Sequence, residues 1–372
     1  MPTLLDMRPS VGFESAVTAL PHQMRGRGAR NNIKGRFEKN GAAFFDDGWD
    51  SLAELPPLKT TVFEELPKTI IASNQSPDIS FDRSINPYRG CEHGCVYCYA
   101  RPTHAYMGLS PGLDFESKLF IKPNAAALLR EELTAPNYAA RTLALGSNTD
   151  PYQPIERTYR ITRQILEVLS EFNHPVGIVT KSALVLRDLD ILTSLAKRGL
   201  VKVAISLTTL DGKLARAMEP RASTPAKRLE ALRILSAAGV PTVVMMGPVI
   251  PAVNDMEIEA ILKSAAVAGV KEAGYTMLRL PLEVKDIFKE WLRTEMPDRA
   301  AKVMSLVKSV RGGKESDSTF GKRMSGTGPY AWMIGRRFQM SCVRLGINKN
   351  RIRLAGDLFC VPPRPGEQLM LI

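Results

Sequence analysis

A chain of 372 residues, 44% hydrophobic and 24% charged, has the make-up of an ordinary globular protein with one large or two modest cores, which excludes a disordered or fibrous polymer. No apolar run approaches the ~18 residues of a membrane-spanning helix, and Met1-Pro-Thr-Leu-Leu-Asp6 lacks the basic and apolar regions of a secretory signal, so a cytoplasmic setting with no membrane partner is expected. The net charge of +12 is uneven: between Arg299 and Arg353 thirteen Lys and Arg stand against Glu315 and Asp317, and a second basic stretch runs through Arg25, Arg27, Arg30, Lys34, Arg36 and Lys39. Such faces suit nucleic-acid phosphates or an acidic partner protein such as a ferredoxin or flavodoxin; a plain solvated surface is the alternative.

In chain order, residues 1–75 read as an irregular extension rich in Gly, Asn, Pro and charge. A short strand over 78–82 leads into a cysteine-rich loop. Apolar helical stretches then alternate with short β-like runs. Strands are expected over 142–145, 176–180, 201–207, 242–246 and 273–279, and helices over 123–133, 158–172, 184–197, 225–238 and 255–268, with Gly199, Gly239 and Gly269 as stops. Six strands alternating with helices imply parallel β-α units, either a partial (β/α)6 barrel of the TIM type or a doubly wound open sheet. The core domain is placed at 76–282. Residues 283–372 form a basic, largely helical C-terminal region with helical pattern over 283–310 and 330–345.

Five cysteines, an odd number in a long chain with three of them clustered, do not suit a disulfide framework; in a reducing compartment the cluster points to metal. Cys91, Cys95 and Cys98 lie in Asn86-Pro-Tyr-Arg-Gly-Cys91-Glu-His-Gly-Cys95-Val-Tyr-Cys98-Tyr-Ala100. A 4Fe–4S cluster usually takes four thiolates. Three on one loop leave one iron open, as an open position marks catalytic zinc sites. The rival reading closes a tetrahedral zinc site with His93 or His104, giving a zinc-stabilised nucleic-acid-binding module without turnover. Cys342 and Cys360 are expected as buried small hydrophobes, His22 and His174 as surface or packing residues, and His93 as a loop-packing or cluster-tuning group.

The Cys-x3-Cys-x2-Cys spacing, with Tyr97 before the last cysteine, resembles the signature of the radical S-adenosylmethionine enzymes. The set Asn86, Tyr88, Gly90, Cys91, His93, Cys95, Tyr97, Cys98 and Tyr99, with Glu219-Pro-Arg221 downstream, is similar to the branch of spore photoproduct lyases and their uncharacterised relatives. The resemblance favours the barrel over the doubly wound sheet and implies a 4Fe–4S cluster on Cys91, Cys95 and Cys98, with S-adenosylmethionine on the open iron. Active sites of parallel α/β folds form at the carboxyl ends of strands, where the cofactor's groups find candidates. Lys181 and Arg221 suit its carboxylate, Ser147, Asn148 and Asp150 its ammonium, and Ser206 its ribose. Val249, Ile250 and the Tyr97 ring suit its adenine. Photoproduct lyases are thought to return hydrogen to product from a cysteine near the second strand end. Residues 145–150 here contain none, which either puts thymine-dimer repair in doubt or shifts that role to a tyrosine such as Tyr99.

Overall fold

The computed structural model describes residues 26–37 and 58–363. The rest of the N-terminal extension, including Arg25, Lys39 and His22, and residues 364–372 lie outside the described residues. The strands are β1 (Thr61–Glu64), β2 (Ile71–Ser73), β3 (Arg83–Ile85), β4 (Tyr88–Arg89), β5 (Lys118–Ile121), β6 (Leu143–Leu145), β7 (Val176–Thr180), β8 (Val201–Ser206), β9 (Thr242–Val249) and β10 (Glu272–Met277). Strands β3, β6, β7, β8, β9 and β10 pair in that order, each parallel to the next, and β2 adds antiparallel to the outer edge of β3. A doubly wound sheet reverses its strand order at a switch point. Here the order advances in one direction, so the architecture is a partial TIM-type barrel, open between β10 and β2. The first barrel strand starts at Arg83, later than the 78–82 run that its alternation suggested, because Asp78 is drawn into a loop contact with Gly321 and Arg323.

Local sequence explains the connecting helices. Pro225–Ala237 opens with Thr224 accepting from the Lys227 amide and Pro225 in the first turn. Gly212–Met218, a helix that the sequence pattern did not show, is capped by Asp211 on the Lys213 amide at 2.7 Å. The expected 158–172 helix is split into Glu156–Tyr159 and Ile161–Glu171, with Arg160 left-handed at φ 51° between them. Alternate residues of β7, such as Val176 and Ile178, join Val203 and Ile205 of β8 and helix residues such as Leu169, Leu192 and Leu232 in one core. Burial of such side chains at about 25 cal/mol per Å² is the main stabilising term.

A smaller sheet, ordered β1-β5-β4, stands beside the cysteine loop. The helices Val284–Glu295 and Pro297–Ser309 follow β10, and Gly328–Leu345 packs on Ile258–Val267. Between them, residues 319–327 span the open edge of the barrel. The Met277 amide of β10 donates to the Met324 carbonyl at 2.8 Å, and Arg323 bonds Asp78 and Ser76 on the approach to β3. Arg311 holds this bridge from beneath. It is fully buried, donating to the carbonyls of Met277, Leu278, Lys322 and Arg323.

Arg311→Met would leave four carbonyls short of a donor, and buried acceptors without partners are costly. We expect a stability loss of about 3 kcal/mol in denaturant titration, with faster amide exchange at Met277, whose acceptor lies on the bridge. Unchanged exchange there would mean that the bridge stands without Arg311.

Candidate active site

The cysteine loop follows β4 and is fastened on several sides. The Cys91 amide donates to the Phe115 carbonyl at 2.9 Å and the Val96 amide to the Met218 carbonyl at 3.1 Å. Arg101, wholly buried, donates through Nε to the Cys95 carbonyl and through Nη1 to those of Pro111 and Gly112. Its Nη2 pairs with Glu116, also wholly buried. The Glu116 carboxylate further accepts the amides of Gly28 and Ala29, both at 2.8 Å, so an N-terminal strap lies directly on the loop. Contact is so close that a Cβ on Gly28 would stand 1.7 Å from the Gly94 carbonyl oxygen, and only glycine fits. The strap's cations are engaged as well: Arg30 pairs with Glu295, Arg36 with Glu283, and Arg27 donates to the Glu116 and Leu58 carbonyls.

The three thiols sit close enough to act on one another. Cys91 is raised by burial and then by Asp150, Cys95 and Cys98, and Cys95 by burial, Glu219 and Cys98 among others. Burial also pushes Cys98 up, against the pull of Arg101. Burial thus favours the thiol over the thiolate at all three, and metal loading releases those protons. Among the described residues, no three His, Cys, Asp or Glu side chains converge tightly enough for a single ion. Three thiolates on one loop are the donor type that the separate irons of a cluster take, one to each iron. His104, the other proposed zinc ligand, turns Nε2 to the Lys118 carbonyl at 2.9 Å and packs edge-on against Phe115.

The barrel meets the loop through two carboxylates, one just past β6 and one at the end of the Gly212–Met218 helix. Asp150, after β6, accepts from Thr180 Oγ1 and the Lys181 amide, both at 2.7 Å, and lies 3.3 Å from His93 Nδ1. Burial pushes its carboxyl up, but His93 and these hydrogen bonds outweigh that and hold it below the usual carboxylate range. Glu219 accepts from the Tyr97 hydroxyl, from Thr208 Oγ1 at 2.8 Å and from Arg228. Gly146, at φ 89°, lets the β6 end pass Val179; a Cβ there would meet the Val179 carbonyl oxygen at 2.2 Å.

Lys181, at the β7 end, points its ammonium at Ser206 Oγ (2.9 Å) and the Gly247 carbonyl (3.4 Å), with the Glu219 carboxylate at 4.0 Å and the Tyr97 ring centroid at 5.8 Å. Burial lowers its pKa. Lys181, Ser206 and Tyr97 are thus brought together beside Cys95. Arg221 lies apart from them, its guanidinium 2.9 Å from Glu92 and its amide on the His93 carbonyl. Ser147 and Asn148 are held by Asn86, which donates to Ser147 Oγ and accepts the Asn148 amide. Val249 and Ile250 are buried, but the Val249 carbonyl serves Leu278 and the Ile250 amide serves Asn254. Tyr99 is half exposed, its hydroxyl on the Ser147 carbonyl and its ring 5.6 Å from the Arg279 guanidinium.

The other cysteines are at the far end. Cys342 is buried in Gly328–Leu345 near the start of β10, where Asn348 bonds Ala273. Cys360, expected to be buried, is exposed; its amide bonds Phe172 ahead of β7, and Asn173 donates to its sulfur at 3.2 Å. His174 is a packing residue, buried with Nε2 2.8 Å from the Tyr138 hydroxyl. Sequence reasoning missed Arg101, Glu116 and Arg228. The one available signal was an Arg three residues after the last cysteine.

A family profile described as the radical SAM superfamily matches residues 85–265. An uncharacterised protein of Mycobacterium tuberculosis is 37% identical over 240 residues, covering 63% of this chain and 71% of that protein. An uncharacterised protein of Methanocaldococcus jannaschii is 30% identical over 173 residues, covering 46% of this chain and 62% of the other. A solved spore photoproduct lyase variant superposes with a TM-score of 0.58 at 15% identity, covering 84% of this chain and 87% of that one. Another, with bound AdoMet and dinucleoside spore photoproduct, gives 0.55 at 15%, covering 77% and 80%. At such identities the likeness is one of fold.

Glu116→Gln would remove the counter-charge of a buried guanidinium, which typically costs about 3–5 kcal/mol. We expect that loss in chemical denaturation, together with faster alkylation of Cys91, Cys95 and Cys98 in the metal-free protein as the strap loosens. Wild-type alkylation rates would show that the strap does not cover the loop.

Proposed function

Because the chain belongs to the radical SAM superfamily and is an enzyme of that kind, we propose that Cys91, Cys95 and Cys98 hold three irons of one 4Fe–4S cluster, that S-adenosylmethionine binds the fourth, and that hydrogen is abstracted from a nucleotide or nucleic-acid substrate. When bound, the cluster supplies the electron that cleaves the sulfonium and yields a 5′-deoxyadenosyl radical. The observation that carries the reading is the three free thiols of one loop with the partly buried Lys181 beside Cys95.

In this reading Lys181 holds the cofactor carboxylate. Its side chain is only 16% exposed and has a carboxylate no nearer than 4.0 Å, so an incoming anion meets a largely uncompensated charge. Ser206 Oγ, fixed by Lys181, faces the ribose, and the Tyr97 ring, fixed through Glu219, offers an apolar wall. Asp150 is already filled by Thr180, Lys181 and His93; its part is to hold the cysteine loop to the strand ends. Arg221, paired with Glu92, likewise steadies the loop. Val249 and Ile250 contribute buried surface, and Ser147 and Asn148 the polar rim. Tyr99 is the hydrogen donor to product: its phenol gives up a hydrogen atom, and the tyrosyl radical left behind takes one electron from the ferredoxin or flavodoxin and one proton from solvent. A nucleic-acid substrate is supported by the net charge of +12, and an acidic ferredoxin or flavodoxin suits the same surface. No described helix is long and apolar enough to cross a membrane.

Anaerobic reconstitution should give a brown protein absorbing near ~400 nm with about four iron and four sulfide per chain, and Cys→Ala at any of the three positions should abolish it. Dithionite and S-adenosylmethionine should then release 5′-deoxyadenosine. Lys181→Gln should keep the cluster but weaken S-adenosylmethionine binding about tenfold in equilibrium dialysis. A colourless protein holding zinc would overturn the reading.

A further inference from the structure

The bridge that closes the barrel edge carries more positive charge than its carboxylates match. Arg279, just past β10, is half buried and has no ion-pair partner among the described residues. Its guanidinium lies against the Tyr99 ring and donates only to Met324 Sδ at 3.7 Å. The nearby carboxylate, Asp78, is occupied by Arg323 and by the Gly321 amide at 2.6 Å. Arg311, behind them, is fully buried on backbone carbonyls. Burial lowers the pKa of Arg279, and the Arg323 charge lowers it further. A partly dehydrated guanidinium beside a second one is unfavourable unless an anion arrives from outside.

The surroundings indicate which anion. Tyr99 is 50% and Phe320 56% exposed, and each has a guanidinium on one face, Arg279 at 5.6 Å and Arg323 at 4.5 Å. An exposed ring beside an unpaired arginine, as Tyr99 is beside Arg279, suits a phosphate carrying a base, because the ring stacks while the planar guanidinium takes two phosphate oxygens. We propose that Arg279 binds a phosphate of the substrate at this edge, next to Tyr99, with the Tyr99 and Phe320 rings facing the adjoining nucleoside. The proposal rests on the reading of the substrate as a nucleotide or nucleic acid and adds the point at which it is held.

Two probes separate the sources of that phosphate: a fluorescein-labelled single-stranded oligothymidylate, followed by anisotropy, and dTMP, followed by calorimetry, both on the reconstituted holoenzyme. At least one should bind. Arg279→Gln should weaken it roughly tenfold or more, and Arg279→Lys, which keeps the charge without the fork, should fall between. Binding of the oligonucleotide alone identifies a strand, with the salt slope falling by about 0.7 in Arg279→Gln; binding of dTMP identifies a free nucleotide. Lys197→Gln, at the exposed end of the helix that precedes the start of β8 and outside both basic stretches, should match wild type. The proposal is overturned if neither probe binds wild type, if Arg279→Gln binds both as well as wild type does, or if S-adenosylmethionine affinity falls in parallel, which would assign Arg279 to the cofactor. Failure of the wild-type protein to take up cluster or S-adenosylmethionine is read separately and counts against the cofactor assignment, not against this subsite.

Discussion

The buried pair of Arg101 and Glu116 governs the geometry of the cysteine loop. Neither side chain meets water, and between them they satisfy the Cys95, Pro111 and Gly112 carbonyls and the Gly28 and Ala29 amides. A buried ion pair contributes little net stability unless its remaining donors and acceptors are also filled. Here they are filled by backbone groups from three separate segments, so the pair can form only when strap, loop and the turn around residue 111 are all in place. Its value is conformational specificity: it leaves one arrangement of the loop and disfavours the rest.

A second set of contacts ties that arrangement to the barrel. Asp150 and Glu219 come from different strand-to-helix connections, yet both reach the loop, one through His93 and the other through the Tyr97 hydroxyl. The loop is thus tied by side chains rooted just past β6 and at the end of the Gly212–Met218 helix. Ligands set in advance lose less entropy when they bind, and a site that excludes water strengthens each charge interaction within it.

Much of the barrel was legible in the sequence, because alternating strands and helices with glycine stops leave few other solutions. The strands from β6 to β10 fall where periodicity placed them. Periodicity alone did not give the strand order, since barrel and doubly wound sheet share the same local pattern and differ only in which strands meet; the resemblance at the cysteine loop is what favoured the barrel. The cysteines were plain from spacing. Their supports were not: Glu116 lies in a short helix with nothing unusual around it, and its partners are 15, 87 and 88 residues away in the chain. Strands β1, β4 and β5 escaped notice for a similar reason, being two to four residues long and defined only by pairing. Arg221 shows the opposite limit. A cation near the strand ends looked available, but only coordinates reveal that Glu92 has claimed it.

The incomplete barrel has one further consequence. Its missing wall is supplied by residues 319–327, a stretch of backbone and arginine contacts remote in sequence from the cysteines. The shape of the opening can therefore drift through changes in the tail while the thiol-bearing half stays constant.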